Sequence, residues 1–175
     1  MNRKITDRHF FNLSALALAE ALLGKIFVHC TDDGRLVRRR ITEVEAYCGR
    51  DDSASHAHRG LTKRTAPMFE EGGILYVYLC YGIFDLLNIV SGKKDEPEAV
   101  LIRGVEGATG PGRASRVLEI TRALNRENLT ASPRVWLEDD GFTPVPESIQ
   151  RLKRVGIAYA APEDQEKPWR LSINT

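Results

Sequence analysis

The sequence predicts an α+β fold: one domain over residues 1–175, with a mostly antiparallel, curved sheet, flanking helices and a protruding β-hairpin. Three observations lead there. Helical and extended patterns both occur, but they do not alternate as a parallel βαβ sheet would require. Two stretches reverse direction by turn chemistry, at Asp32-Asp33-Gly34 and at Tyr81-Gly82. With 42% hydrophobic residues, 175 residues suffice for a single sizeable core.

Taken in order, Asn12 or Ser14 caps a helix through SALALAEALL, which Gly24 ends. Leu16, Leu23 and the alanines give it a tightly packable stripe. Lys25 to Cys30 and Arg35 to Tyr47 form a hairpin about the Asp-Asp-Gly turn. Gly49 to Thr65 has no apolar period and reads as a loop, longer than a compact domain usually carries without purpose. Ile74 to Tyr81 and Phe84 to Val90 are two strands meeting at a Tyr-Gly tip, and Ala99 to Arg103 is another. Gly110-Pro111-Gly112 opens a helix to about Leu124, with free amides suited to an anion and Arg113 and Arg116 nearby. An ordinary helix start explains the same residues. Val135 to Leu137 is a short strand, Pro146 to Arg154 a helical turn or two, and Val155 to Tyr159 and Trp169 to Ile173 closing strands. No repeat or interdomain linker interrupts the chain.

The formal charge of +1 says nothing about nucleic acid. Its distribution says more: basic residues gather at 35–40, 59–64, 103–126 and 151–154, which fits either a basic face or a mixed solvated surface. Cys30, Cys48 and Cys80 form no CxxC pair, which argues against a disulfide framework and a thiolate zinc site and favours a reducing compartment. The start MNRKITDRHF lacks the apolar core of a signal peptide, and no apolar run spans a bilayer. A soluble cytoplasmic protein is expected, without a membrane partner and nucleoid-associated if bacterial.

The chemistry concentrates in Ile41 to His56, ITEVEAYCGRDDSASH. By the period of two, Ile41, Glu43, Glu45 and Tyr47 share one face, which Ile41 is expected to turn inward. Inward carboxylates are costly unless paired or used. Glu45 therefore reads either as a general base that activates water for attack on a sugar carbon, or as an ion-pair partner, with Glu43 its rival. Tyr47, His56 and Tyr78 suit the walls of a slot for a flat, cationic base, although tyrosines in strands and a histidine in a loop are ordinary. Tyr81, at a protruding tip, has the shape of a wedge that enters a base stack. Asp51, Asp52, His56 and His58 match no closed zinc spacing.

The segments TEVEAY and SASH, GGILYVYLCYGIFDLLNIV, AVLIRGVEG and GPGR, in that order, resemble the alkyladenine (3-methyladenine) DNA glycosylase family. The likeness extends through VWLEDD and RVGIAYA to KPWRL, and so covers nearly the whole chain. It implies that Glu45 activates the water, that Tyr47, His56 and Tyr78 stack on the base, and that Tyr81 intercalates. Asn88 would crowd the amino group of guanine, and Arg103 would support the backbone of the flipped nucleotide. The implied activity is hydrolysis of the N-glycosidic bond of alkylated purines, and of deaminated ones with more difficulty, in double-stranded DNA. It would leave an abasic site, use no cofactor or metal, and be carried out by a monomer. The loop Gly49 to Met68 and the segment Ala160 to Pro168 are less characteristic of the family and bear on DNA affinity and context. Two other readings are a catalytically silent lesion binder and a metal-dependent hydrolase built on Asp51, Asp52, His56 and His58.

Overall fold

A computed structural model describes residues 2–174. In chain order the protein forms β1 (Arg3–Lys4), α1 (Arg8–Phe11), α2 (Ala15–Leu22), β2 (Ile26–Cys30), β3 (Leu36–Tyr47), β4 (Leu75–Cys80), β5 (Phe84–Ser91), β6 (Glu98–Val105), β7 (Ala108–Thr109), α3 (Pro111–Val117), β8 (Val135–Asp139), β9 (Gln150–Leu152), α4 (Pro162–Gln165) and β10 (Arg170–Ser172). The sheet runs β1-β8-β2-β3-β6-β5-β4, with β7 beside β6 and β10 joining β3 to β9. The pairings are antiparallel, as the hairpin turns require.

Strand β3 is the spine. Its first half pairs with β2. Its second half lies between β6 and β10, so residues Glu43 to Glu45 are flanked on both edges. The expected common face of Ile41, Glu43, Glu45 and Tyr47 does not survive. Ile41 lies in the main core, but so do Val44 and Ala46, and on β6 the core residues likewise change from Val100 and Ile102 to Val105. The β3–β6 register slips on either side of Glu43, which inverts the alternation. Glu43, Glu45 and Tyr47 are thereby turned to the opposite face of the sheet. Gly104 makes the slip possible, because a Cβ there would lie 3.0 Å from the Cβ of Glu43.

The main core fills one face, where α2 and α3 pack on Leu75, Val77, Leu87, Ile89 and the β3 and β6 residues above. Ser14 is the cap of α2 and accepts from the Ala17 N–H. The opposite face carries a smaller apolar cluster of Ala57, Met68, Phe69, Tyr76, Val90 and Ala99. The long segment after β3 supplies its cover, folded into three 3-10 turns at Gly49–Asp51, His56–Arg59 and Ala66–Phe69.

Three expectations are corrected. Helix α3 stops at Val117 rather than near Leu124, because Glu119 takes a left-handed conformation and a separate 3-10 turn forms at Arg122–Leu124. Pro146 to Arg154 holds one 3-10 turn, Pro146–Ser148, followed by β9. Val155 to Tyr159 is not a strand: Gly156 has φ +75°, which breaks extension, and Ile157 folds under to meet Ala54 and Ala160. Cys30, Cys48 and Cys80 are free thiols. Among the described residues no helix is long and apolar enough to cross a membrane.

Replacing Gly104 by alanine should overpack the slip and lower stability by about 1–3 kcal/mol, read by urea unfolding. An unchanged midpoint would show that the glycine is not what admits Glu43.

Candidate active site

The inverted register places a cross-strand row on the face away from the main core. Tyr76 pairs with Asn88, Asn88 with Leu101, Leu101 with Glu45, and Glu45 with Arg170. Directly opposed residues on one face of antiparallel strands sit within contact range. Across five strands the row brings a tyrosine, an asparagine and a glutamate into one line, and the loop above closes over them.

Glu45 has no exposed surface. Its Oε2 accepts the Tyr47 hydroxyl at 2.8 Å, and its Oε1 accepts the Val155 N–H at 2.8 Å. Arg103 Nη1 stands 3.6 Å from Oε1, close enough to stabilise the charge but beyond hydrogen-bond length. Burial raises the Glu45 pKa above its ordinary 4.5, against the opposing pull of Arg103, the Val155 N–H and Tyr47. Burial and the neighbouring carboxylate push the Tyr47 phenol up as well, so it stays protonated and donates. Each carboxylate oxygen has two lone pairs, so acceptor capacity for a water remains.

Glu43 is occupied differently. Its Oε1 accepts Arg170 Nη1 at 2.9 Å and Arg103 Nε at 3.3 Å. Of the two rival carboxylates, Glu43 is the one fixed by arginine hydrogen bonds. It also orients the guanidinium that faces Glu45.

Tyr47, which donates to Glu45, also lines a recess with His56, Met68, Tyr76, Tyr78 and Asn88. The His56 and Tyr78 ring centroids are 4.6 Å apart. The Asn88 amide is fixed by donating to the Tyr76 carbonyl at 3.1 Å. His56 Nδ1 meets the Tyr76 hydroxyl at 2.9 Å. Burial, helped by the Arg64 charge, lowers the His56 pKa from 6.5 to about 4, so the imidazole is neutral near pH 7. The enclosed space is about 30 Å³, room for water rather than a purine. Tyr159 stands at the rim, 64% exposed, its hydroxyl donating to the Ala54 carbonyl at 2.6 Å.

Tyr81 stands apart from this recess at the hairpin tip, 88% exposed. Tyr81 and Gly82 both have positive φ, at 51° and 66°, the signature of a primed turn. A tyrosine in that region is strained, on the order of 1 kcal/mol or more. Arg64 lies over Tyr78 and Arg116 over Phe84, one on each strand of the hairpin. Neither is paired with a carboxylate among the described residues.

The alternative ligand set is not brought together. Asp52 is held by Arg154, His56 by Tyr76 and His58 Nδ1 by the Arg50 carbonyl, while Asp51 is exposed. Among the described residues no three His, Cys, Asp or Glu side chains converge.

Sequence reasoning missed Tyr76, Tyr159, the Val155 N–H and the Asp52–Arg154 pair. Tyr76 carried a signal, since it shares the Tyr78 face by the period of two. The others come from segments about a hundred residues distant, with no local pattern.

The family model for methylpurine-DNA glycosylase matches residues 9–109 and 106–175. The chain belongs to this family. Relatives provisionally named 3-methyladenine DNA glycosylase include one from Methanocella arvoryzae, 39% identical over 186 residues, covering 95% of this chain and 90% of the relative. One from Chlorobium phaeobacteroides is 42% identical over 167 residues, covering 85% and 83%. One from Borreliella afzelii is 37% identical over 179 residues, covering 95% of each chain. The family resemblance drawn from the motifs is therefore met, and the chain is a DNA glycosylase.

An NMR titration should find the His56 ring with a midpoint of about 4; a midpoint near 6.5 would mean that the ring is not desolvated. Because the unfolded chain takes up that proton first, the contribution of His56 to stability is complete above about 6.5 and is lost as pH falls towards about 4.

Proposed function

We propose that this glycosylase hydrolyses the N-glycosidic bond of alkylated purines in double-stranded DNA, after the damaged nucleotide has swung out of the helix. The observation that carries the reading is a fully buried carboxylate, Glu45, which accepts the hydroxyl of Tyr47 from the wall of an aromatic recess and is kept from a locking hydrogen bond with Arg103.

In this reading the base enters between Tyr47 on one side and His56 and Tyr78 on the other. Stacking on aromatic faces contributes roughly 1–3 kcal/mol per base, and a cationic purine adds about 0.5–2 kcal/mol of cation–π attraction per good contact. Glu45 accepts a proton from water, whose oxygen bonds to the C1′ of the sugar. The C1′–N bond breaks and its electron pair leaves with the base, neutralising the alkylated ring. The products are an abasic site and the free base. Arg103 offsets the charge around the carboxylate and supports the backbone of the flipped nucleotide. Among the described residues no lysine lines the recess, which supports a monofunctional hydrolase over an amine-dependent lyase.

A cationic base leaves without a proton donor. Hypoxanthine and other neutral bases need one, and His56, with its pKa near 4, carries no proton to give near neutral pH. Alkylated purines are accordingly the better substrates. Asn88, immobilised by Tyr76, would meet the exocyclic amino group of guanine and so hold normal purines out. Tyr81 enters the vacated stack and offsets part of the cost of extrusion. The enzyme works as a monomer on damaged duplex DNA.

Glu45→Gln should lower single-turnover release of 7-methylguanine from a duplex by about 1000-fold while leaving duplex binding intact. Retention of the wild-type rate would remove Glu45 from the role. Tyr81→Ala should slow excision from a fully paired duplex, and slow it less where the lesion is already mismatched, since less stacking energy is then at stake. Equal loss on both substrates would mean that the tip does not act as a wedge.

A further inference from the structure

We propose that Arg154 is a positioning residue for base release: its guanidinium, sealed behind Tyr47, fixes the phenol and the Val155 N–H against Glu45. The proposal rests on Glu45 being the base.

The Arg154 and Asp52 side chains are both essentially without solvent exposure. Arg154 Nη1 donates to Asp52 Oδ2 at 2.6 Å and Nη2 to Oδ1 at 2.8 Å, a fork matched to the carboxylate. Nη1 also donates to the Ala46 carbonyl at 3.0 Å, the residue between Glu45 and Tyr47 on β3. Nη2 reaches the Asp164 carbonyl at 3.3 Å. The guanidinium lies over the Tyr47 ring at 4.8 Å and over the Trp169 ring at 4.9 Å. One side chain thus joins four stretches of chain: the end of β3, the turn that holds Asp52, helix α4 and the residue before β10.

The consequence for catalysis follows from the next residue. Val155 N–H is the donor to Glu45 Oε1, and its position is set by the anchored Arg154 beside it. Tyr47 is the donor to Oε2, and the guanidinium backs its ring. Arg154 therefore controls both uncharged donors that orient the carboxylate. Asp52 is in turn held by the Cys48 and Ala54 N–H groups at 3.0 and 3.1 Å, so the pair cannot swing.

A buried ion pair is a weak way to stabilise a fold, because desolvation consumes most of the attraction and an apolar pair often does as well. Trp169 and Tyr47 already supply apolar packing here. What an apolar pair would lack is the directional hold on Ala46 and Val155. The charges facing Glu45 are Arg103 from β6 and Arg154 from the segment after β9, with the Tyr47 hydroxyl on its own strand; the Arg170 and Glu43 pair lies next along the sheet. Arg154 lowers the Glu45 pKa, though less than Arg103 does.

The test uses R154K, which keeps the charge but loses the fork, and D52N/R154Q, which removes both charges without leaving one unpaired. Folding is read by circular dichroism, binding with a duplex carrying a stable abasic-site analogue, and chemistry by single-turnover release of 7-methylguanine across pH, with E45Q in parallel. The proposal expects both variants to fold and to bind as wild type does. It expects the rate to fall about 100-fold, the effect of misplacing a reacting group by an ångström, and the acid limb of D52N/R154Q to move to higher pH. A folded variant with the wild-type rate and acid limb overturns the positioning role, as does a rate loss matched by lost binding. If R154K does not fold, the double variant decides. Should E45Q keep its rate, the underlying assignment of the base fails instead, and the two failures remain distinguishable.

Discussion

The structure depends on keeping one carboxylate, Glu45, out of bulk solvent. Glu45 is paired on both strand edges, fully buried and surrounded by donors of graded strength: a phenol, a backbone amide and a guanidinium just out of bonding range. Desolvation disfavours the charged form of such a group, and the donors oppose that. The balance leaves a carboxylate with a raised proton affinity that is still anchored by direction. A base needs both properties, since raised affinity favours proton uptake and anchoring sets the line of attack.

Much of the fold can be understood as service to that group. The register slip between β3 and β6 turns Glu43, Glu45 and Tyr47 away from the main core, and Gly104 gives the slip its space. One face of the sheet then carries the core and its helices, while the other carries the proposed site. The segment after β3, too polar to form a core of its own, becomes a lid of short turns over a small apolar cluster. Glu43, itself bound by Arg170, holds Arg103 short of hydrogen-bonding Glu45, so the cation stabilises the charge without capturing it.

The turn-encoded features were legible in the sequence because they are local. Tyr81 and Gly82 announce the tip, and the strands on either side follow in register. Tyr47, His56, Tyr78 and Asn88 line one recess, and Glu45 joins it through the Tyr47 hydroxyl. The face of Glu45 was legible only by half: alternation tied it to Ile41, and the slip at Thr42 that separates them has no signature beyond a glycine sixty residues later. Val155 to Tyr159 read as a strand from its apolar residues, yet Gly156 bends it so that an amide meets Glu45. The Asp52–Arg154 pair spans 102 positions, and such pairing is fixed by the fold alone.

The central claim is that a desolvated Glu45 must be ionised to act. The most direct measurement is the pH dependence of single-turnover 7-methylguanine release by the unmodified enzyme, since this base carries its positive charge while still attached and needs no proton donor to leave. The rate should rise through one ionisation with its midpoint above the ordinary glutamate value of 4.5, then stay level towards neutral pH. A rate that holds constant down through that value would contradict the account.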